Sequence, residues 1–335
     1  MSSCPGMKEL ELPDPLYISM EVLVALAAVL GNVLVVLVVW LNRALRNTTF
    51  CFMVSLALAD ISVGVLVIPL AITISLDICT SFYTCLLLCC LVVIITQSSI
   101  LSLLAIAVDR YLRVKIPTRY STIVTQRRAY GAVVLCWMVS FLTGLVPMMG
   151  WNNRRDPVNL SHNDSVVCKF TNVMTMKYMV YFNFFGWVVA PLLIMIALYG
   201  ELFRVICRQL NRRAEATSDG ERYYRKELKL AKSLALVVLL FVVCWLPLHI
   251  MNCVNVFYKK GSIPQPAIKV GIFMSHVNSA LNPLVYAFRI KSFRVTLLEI
   301  TRRCTSCKAR EPSPYPCSMP VLTEKVPHDP TESAK

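Results

Sequence analysis

The sequence is poor in charge and poorer still in acid. Only 16% of its 335 residues are charged, and 34 Lys and Arg face 19 Asp and Glu; a soluble globular chain carries about a quarter charged residues. Metal-ligand spacing is lacking as well: Cys304 and Cys307 form a C-x-x-C, but no second pair or His cluster completes a zinc site. No nucleophile–base pair emerges on which an enzyme could run. No secretory signal pattern precedes the first apolar run, which is too long and lacks a basic flank, so it serves as a span itself.

What is present is apolar. Hydrophobic residues make up 56% of the chain, gathered into runs near the roughly 20 residues that a spanning helix needs. Seven such runs cover Ile18–Leu41, Phe50–Leu76, Phe82–Val108, Ala129–Met149, Tyr178–Gly200, Ser233–Tyr258 and Val270–Phe288. Most of the 14 cysteines, among them Cys51, Cys89, Cys90, Cys136, Cys207, Cys244 and Cys253, lie in or beside these runs, where cysteine acts as a small hydrophobe. The fold class is all-α: a seven-transmembrane helix bundle with a short amphipathic interfacial helix after span seven.

The net charge of +15 would suggest nucleic acid in a soluble protein. With residues 1–16 outside, the loops alternate, and twenty-six Lys and Arg fall inside against seven outside, with Lys269 at a helix mouth. That is the positive-inside bias of a membrane protein, and it removes nucleic acid from the partners. The sequons at Asn159 and Asn163 fall in a segment predicted outside, so both are candidate glycosylation sites; the one at Asn47 falls inside and should be silent. After span seven, residues 289–300 place Phe293, Leu297, Leu298 and Ile300 on one helical face, as in a helix lying on the inner leaflet among membrane lipids. Cys304 and Cys307 are candidate palmitoylation sites, or ordinary thiols. Residues 301–335 read as a disordered cytoplasmic tail, Pro-rich and polar toward its end.

An ionisable group in a span costs about 2.5–3.5 kcal/mol and usually marks function. Asp60 is the clearest case, with Asn32, Ser102, Asn278 and Asn282 at similar depth in spans one, three and seven. These oxygens could hold a hard cation such as sodium, or a water network around a protonated acid; chemistry alone leaves both open. At the inner end of span three stands Asp109-Arg110-Tyr111, and Glu227 precedes span six at matching depth, so Arg110 and Glu227 can pair as a latch. Two ordinary interfacial charges are the blander reading. Pro191 with Tyr199, Pro247 after Trp245, and Pro283 before Tyr286 break spans five, six and seven. Several kinked helices around a buried acid suggest a bundle with two packings.

These elements together, Leu56–Asp60 as LALAD, Asp109–Tyr111 as DRY, Cys244–Pro247 as CWLP and Asn282–Tyr286 as NPLVY, with Asn32, Trp137 and Pro191, resemble the signature set of rhodopsin-like G-protein-coupled receptors over residues 17–300. That resemblance implies an outer ligand pocket, an inner G-protein cleft and a disulfide between Cys85 and Cys168. It implies arrestin and receptor kinases as further partners. The longer stretches TQSSILSLLAIAVDR, MVYFNFF, CWLPLHIMNC and SHVNSALNPLVYAFR are similar to adenosine receptors, most of all the inhibitory-coupled types three and one. By that likeness Asn252 binds the adenine edge and Phe170 stacks on it. Ser275, His276, Thr96 and Gln97 surround the ribose, and Glu21 pairs with His276. Val93, Met179, Asn183, Trp245, Leu248, His249 and Ile272 complete the walls. The likeness implies adenosine as ligand and an inhibitory G protein as partner, with adenylyl cyclase lowered.

Chemistry agrees on a neutral ligand. No acid lies in the outer half of span three, where an amine would find its counter-ion; Val92 and Val93 stand there. Amides, hydroxyls and imidazoles among aromatics and Met suit a purine nucleoside, though a lipid or another purine derivative stays open. A light-driven pump would need an interior Lys in span seven, and a transporter an inverted repeat; neither is apparent. Lys169 and Thr171 flank Phe170, where relatives commonly carry an acid or amide. Ser275 resembles type three, whereas His249 and Gln97–Ser99 resemble type one.

Overall fold

Helices that span a bilayer hold their backbone polar groups in internal hydrogen bonds, and the computed structural model describes residues 15–42, 47–76, 78–154, 165–212, 218–258 and 263–308, most of them helical. The spans are Pro15–Leu41, Thr48–Ser75, Phe82–Lys115, Gln126–Gly144, Tyr178–Arg212, Ser218–Phe257 and Gln265–Arg289, followed by an interfacial helix over Lys291–Lys308. The first, second, third, fifth and sixth are long and apolar enough to cross a membrane by length and composition. The fourth and seventh, richer in polar residues, join the bundle through contacts such as Trp137 Nε1 to Ser55 Oγ (3.1 Å) and Asn282 Nδ2 to Asp60 Oδ2 (2.7 Å).

Helix starts carry their own caps. Asn47 accepts from the Phe50 amide before span two, Ser81 from Thr84 before span three, and Thr125 from Arg128 before span four. The Asn47 sequon thus has a structural use. Spans three and six run well beyond their apolar runs at the end expected inside, because basic and acidic helix formers adjoin those runs.

Two spans depart from the expected regular α-helix. Val63–Val67 in span two is π-helical, as is the whole outer half of span five, Tyr178–Val189. In span five the buried side chains Tyr178, Asn183 and Val188 recur at intervals of five, as do Met179 and Phe184, because a π-helix bonds i to i+5. Pro191, with no amide hydrogen, stands where the α-helix resumes.

Outside, β1 (Cys79–Ser81) pairs antiparallel with β2 (Ser165–Val167), Cys79 opposite Val167. The Cys85–Cys168 disulfide lies beside this small sheet, and Cys79 is disulfide-bonded as well. Around it packs a cluster of Phe82, Cys89, Val93, Met174, Tyr178 and Met179. The larger core, from Met53 and Ile106 to Phe241 and Tyr286, fills the inner half.

The interfacial helix runs on to Lys308 rather than ending at Ile300, so the start of the expected disordered tail is helical. No Gly or Pro interrupts residues 291–308, and the first proline beyond them is Pro312. Its inward face is Phe293, Thr296, Leu297 and Ile300, a helical stripe, whereas Leu298 points outward at 51% exposure. Asn42 at the end of span one donates to Thr296 at 2.7 Å and fastens this helix to the bundle. The side chains of Cys304 and Cys307, and residues Asn159 and Asn163, lie outside the described residues.

Spans three and four touch where Gly144 leaves room. A Cβ there would lie 2.4 Å from Ile94 Cγ1 and 3.2–3.3 Å from Ile94 backbone atoms. At Gly271 the clash would be with the mobile tip of Met251. Overpacking costs about 1–3 kcal/mol where backbone must move. Gly144→Ala should therefore lower the melting temperature of the detergent-solubilised protein by several degrees, and Gly271→Ala by much less; equal shifts would contradict this packing.

Candidate functional site

Polar groups converge at three depths in the bundle. At the inner end, Asp109 is saturated with donors: Thr48 (3.0 Å) and Tyr120 (2.6 Å) on Oδ1, Thr49 (2.5 Å) and Arg110 (3.0 Å) on Oδ2. Arg110 is 1% exposed and donates through its other terminal nitrogen to Glu227 at 3.2 Å. Arg113 supports the pair, 4.0 Å from Glu227 and 5.2 Å above the Tyr120 ring. The expected latch between spans three and six is therefore closed. Tyr111 follows at the same turn of span three, half-buried. Thr48, Thr49 and Tyr120 were not legible as its partners, since nothing local marks a tyrosine of the short helix Pro117–Ile123 as facing an acid.

At mid-depth Asp60 is fully buried and accepts from Asn282 at 2.7 Å, with Ser279 close by. The Asp60 Oδ1, Asn278 Oδ1 and Asn282 Oδ1 atoms are buried with no donor. Hard, unpaired oxygens of this kind suit a small cation. Ser102 instead hydrogen-bonds Ser55 at 3.0 Å, which in turn receives Trp137; it ties spans two, three and four. Ser279 takes a place beside Asp60 that sequence alone did not assign. Tyr199 and Tyr286, on spans five and seven, bury hydroxyls without a partner close to this level.

In the outer half, Glu21 and His276 meet at 2.8 Å, fastening span one to span seven. Thr96 donates to the Val92 carbonyl (2.9 Å) and Ser275 to the Ile272 carbonyl (2.6 Å). Each hydroxyl proton is thereby engaged, leaving oxygen lone pairs for a ligand's hydroxyls. Gln97 donates to Asn183 at 2.9 Å, so it joins spans three and five and is not directed at span seven. His249 stacks between Phe184 (4.6 Å) and Trp245 (5.9 Å), with both ring nitrogens unpaired. Val93 and Met179 are buried; Asn252, Leu248, Ile272 and Phe170 are half-buried. Phe170 opens a one-turn helix two residues past the Cys168 disulfide, which holds it at the mouth. Lys269 is exposed, 5.9 Å from the Tyr17 ring, at the rim and not in the interior.

These side chains are mostly apolar and aromatic, with a few amides, hydroxyls and imidazoles among them, the composition of a site that orients a small ligand. Chemically it can bind and orient a neutral heterocycle with hydroxyl groups. A separate apolar groove of about 440 Å³, lined by Val22, Leu26, Gly64 and Pro69 among others, lies between spans one and two and faces lipid.

Comparison with known proteins points to one family. The model of the seven-transmembrane receptor family, rhodopsin family, matches residues 31–286. The chain is 51% identical over 304 residues to the adenosine receptor A3 of Ovis aries and to that of Bos taurus, covering 89% of this chain and 94% of each relative. It is 50% identical over 300 residues to the adenosine receptor A3 of Canis lupus familiaris, covering 90% and 95%.

Charge-assisted hydrogen bonds contribute about 1.5–3 kcal/mol, so weakening the latch should shift the closed–open balance roughly tenfold. Glu227→Gln is expected to raise ligand-independent G-protein activation, measured as nucleotide exchange in membranes at matched receptor density. Unchanged basal exchange would count against the latch.

Proposed function

The chain belongs to the rhodopsin family of seven-transmembrane receptors and is a multi-pass protein of the plasma membrane, and on that footing we propose that it is a receptor for extracellular adenosine. The observation that carries the reading is the outer site: aromatic walls with orienting amide, hydroxyl and imidazole groups, and valines where an amine's counter-ion would stand. Likeness to adenosine receptors A3 over nine-tenths of the chain supports the same ligand.

Phe170 stacks on the adenine ring, Asn252 pairs with its polar edge, and the half-engaged hydroxyls of Thr96 and Ser275 with His276 accept from the ribose. A ligand bridging spans three, six and seven strains against the present packing. Trp245, stacked on Phe241 at 6.0 Å and His249 at 5.9 Å just before Pro247, carries that strain to the inner half of span six. Opening the Arg110–Glu227 pair then exposes a basic-lined cleft, to which an inhibitory G protein binds, lowering adenylyl cyclase activity. Orientation with the N-terminus outside is supported by the charge bias, and Asn159, Asn163, Cys304 and Cys307 are the proposed modification sites.

Sodium is proposed as an allosteric ion. Asp60, Asn278 and Asn282 would hold it, and its charge would favour the closed packing that brings spans two and seven together.

Two experiments test this reading. Asn252→Ala should weaken adenosine binding at least tenfold with surface expression intact; unchanged binding would remove Asn252 from the site. Replacing sodium chloride by an organic-cation chloride at fixed ionic strength should raise agonist affinity in the wild type and leave Asp60→Asn unaffected. A sodium effect that persists in Asp60→Asn would sink the ion site.

A further inference from the structure

One polar contact in the outer half has no part in the mechanism above. Thr143, on the last turn of span four, donates its hydroxyl to Gln97 Oε1. The same hydroxyl lies 2.7 Å from the Val139 carbonyl and 3.3 Å from that of Ser140. Gln97 passes the connection on, its Nε2 donating to Asn183 Oδ1 at 2.9 Å. Gln97 is 1% exposed and Asn183 4%, so neither amide can turn to bulk water.

The backbone is arranged to permit this contact. Gly144, next in sequence, lets span four approach Ile94 of span three more closely than any side chain would allow. The Thr143 carbonyl receives the Tyr178 hydroxyl at 2.9 Å, and Tyr178 stacks on Phe182. Thr143 is thus joined to span three through its hydroxyl and to span five through its carbonyl. The π-helical turn of span five then places Asn183 on the same buried line as Tyr178.

We propose that Thr143 is a positioning residue for the ligand site, acting through Gln97 to hold Asn183 and to set which end of its amide meets the ligand. The proposal rests on the reading of Asn183 as a pocket residue. In the arrangement described, the Asn183 carbonyl is taken by Gln97, and its amino group remains for an acceptor on the ligand, such as a purine nitrogen or a ribose oxygen. With the chain reversed, Asn183 donates to Gln97, Gln97 to Thr143, and Thr143 to the Val139 carbonyl, and Asn183 then offers its oxygen. A hydroxyl completes the chain in both senses, because it donates and accepts. A valine completes it in neither, and leaves one end of a buried Gln97 amide without a partner.

Adenosine affinity is measured by competition on the full-length receptor in membranes, for wild type, Thr143→Val, Thr143→Ser, Asn183→Ala and the Thr143→Val/Asn183→Ala double variant. Thr143→Val should weaken adenosine about five- to tenfold, the scale of one lost buried hydrogen bond, and Thr143→Ser should restore wild-type affinity. In the Asn183→Ala background Thr143→Val should add less than twofold, since the route to the ligand is already cut. Thr143→Ala replaces the valine variant if that one fails to reach the surface. Wild-type affinity in Thr143→Val, or full additivity in the double variant while Asn183→Ala is itself impaired, overturns the positioning role alone. Unchanged affinity in Asn183→Ala overturns both this role and the reading of Asn183 as a ligand contact.

Discussion

Hydrocarbon offers a polar side chain no water, so each such group in the bundle must find another protein group or remain costly. The cross-helix contacts obey this demand at every level. Glu21 meets His276, Asn32 donates to the Ser279 carbonyl at 2.9 Å, Asn282 reaches Asp60, Ser55 joins Ser102 and Trp137, and Arg110 meets Glu227. Individually such contacts contribute about 0.6–2 kcal/mol in membranes. Together they fix the rotation and depth of each helix, because an apolar face alone packs equally well in many registers.

The contacts differ in how firmly they hold. The outer end is fastened covalently by Cys85–Cys168 and by the β1–β2 pairing, so Phe170 and the pocket mouth start from a fixed frame. The inner end is held by charge, where Glu227 of span six pairs with Arg110 and Arg113 of span three. Between them lie the unpaired hydroxyls of Tyr199 and Tyr286 and the prolines at Pro191, Pro247 and Pro283. A fixed outer frame joined to an ionic inner latch through helices that carry prolines suits a bundle with two packings, which a ligand biases by differential contact.

The apolar runs and the buried Asp60 were legible in sequence because both follow from the bilayer's cost for charge. Arg110 and Glu227 were legible because their depths match. Helix ends were not: span six begins at Ser218 and not near Ser233, since the intervening charged residues are strong helix formers that an apolar run does not register. The π-helical half of span five also escaped, because a period of five emerges only once Tyr178, Asn183 and Val188 have neighbours. Thr143, Ser279 and Tyr120 share that reason. Their types are ordinary, and only the close approach at Gly144, the packing of span seven on span two and the short helix after span three bring them to Gln97, Asp60 and Asp109 respectively.

The most direct measurement is cyclic AMP in transfected cells whose adenylyl cyclase has been stimulated and whose endogenous adenosine has been removed enzymatically. Added adenosine should lower cyclic AMP in cells carrying the wild-type chain and leave Asn252→Ala cells unchanged at the same concentration. A rise would keep the ligand and overturn the inhibitory coupling. No response in either direction, with receptor present at the surface, would contradict the account.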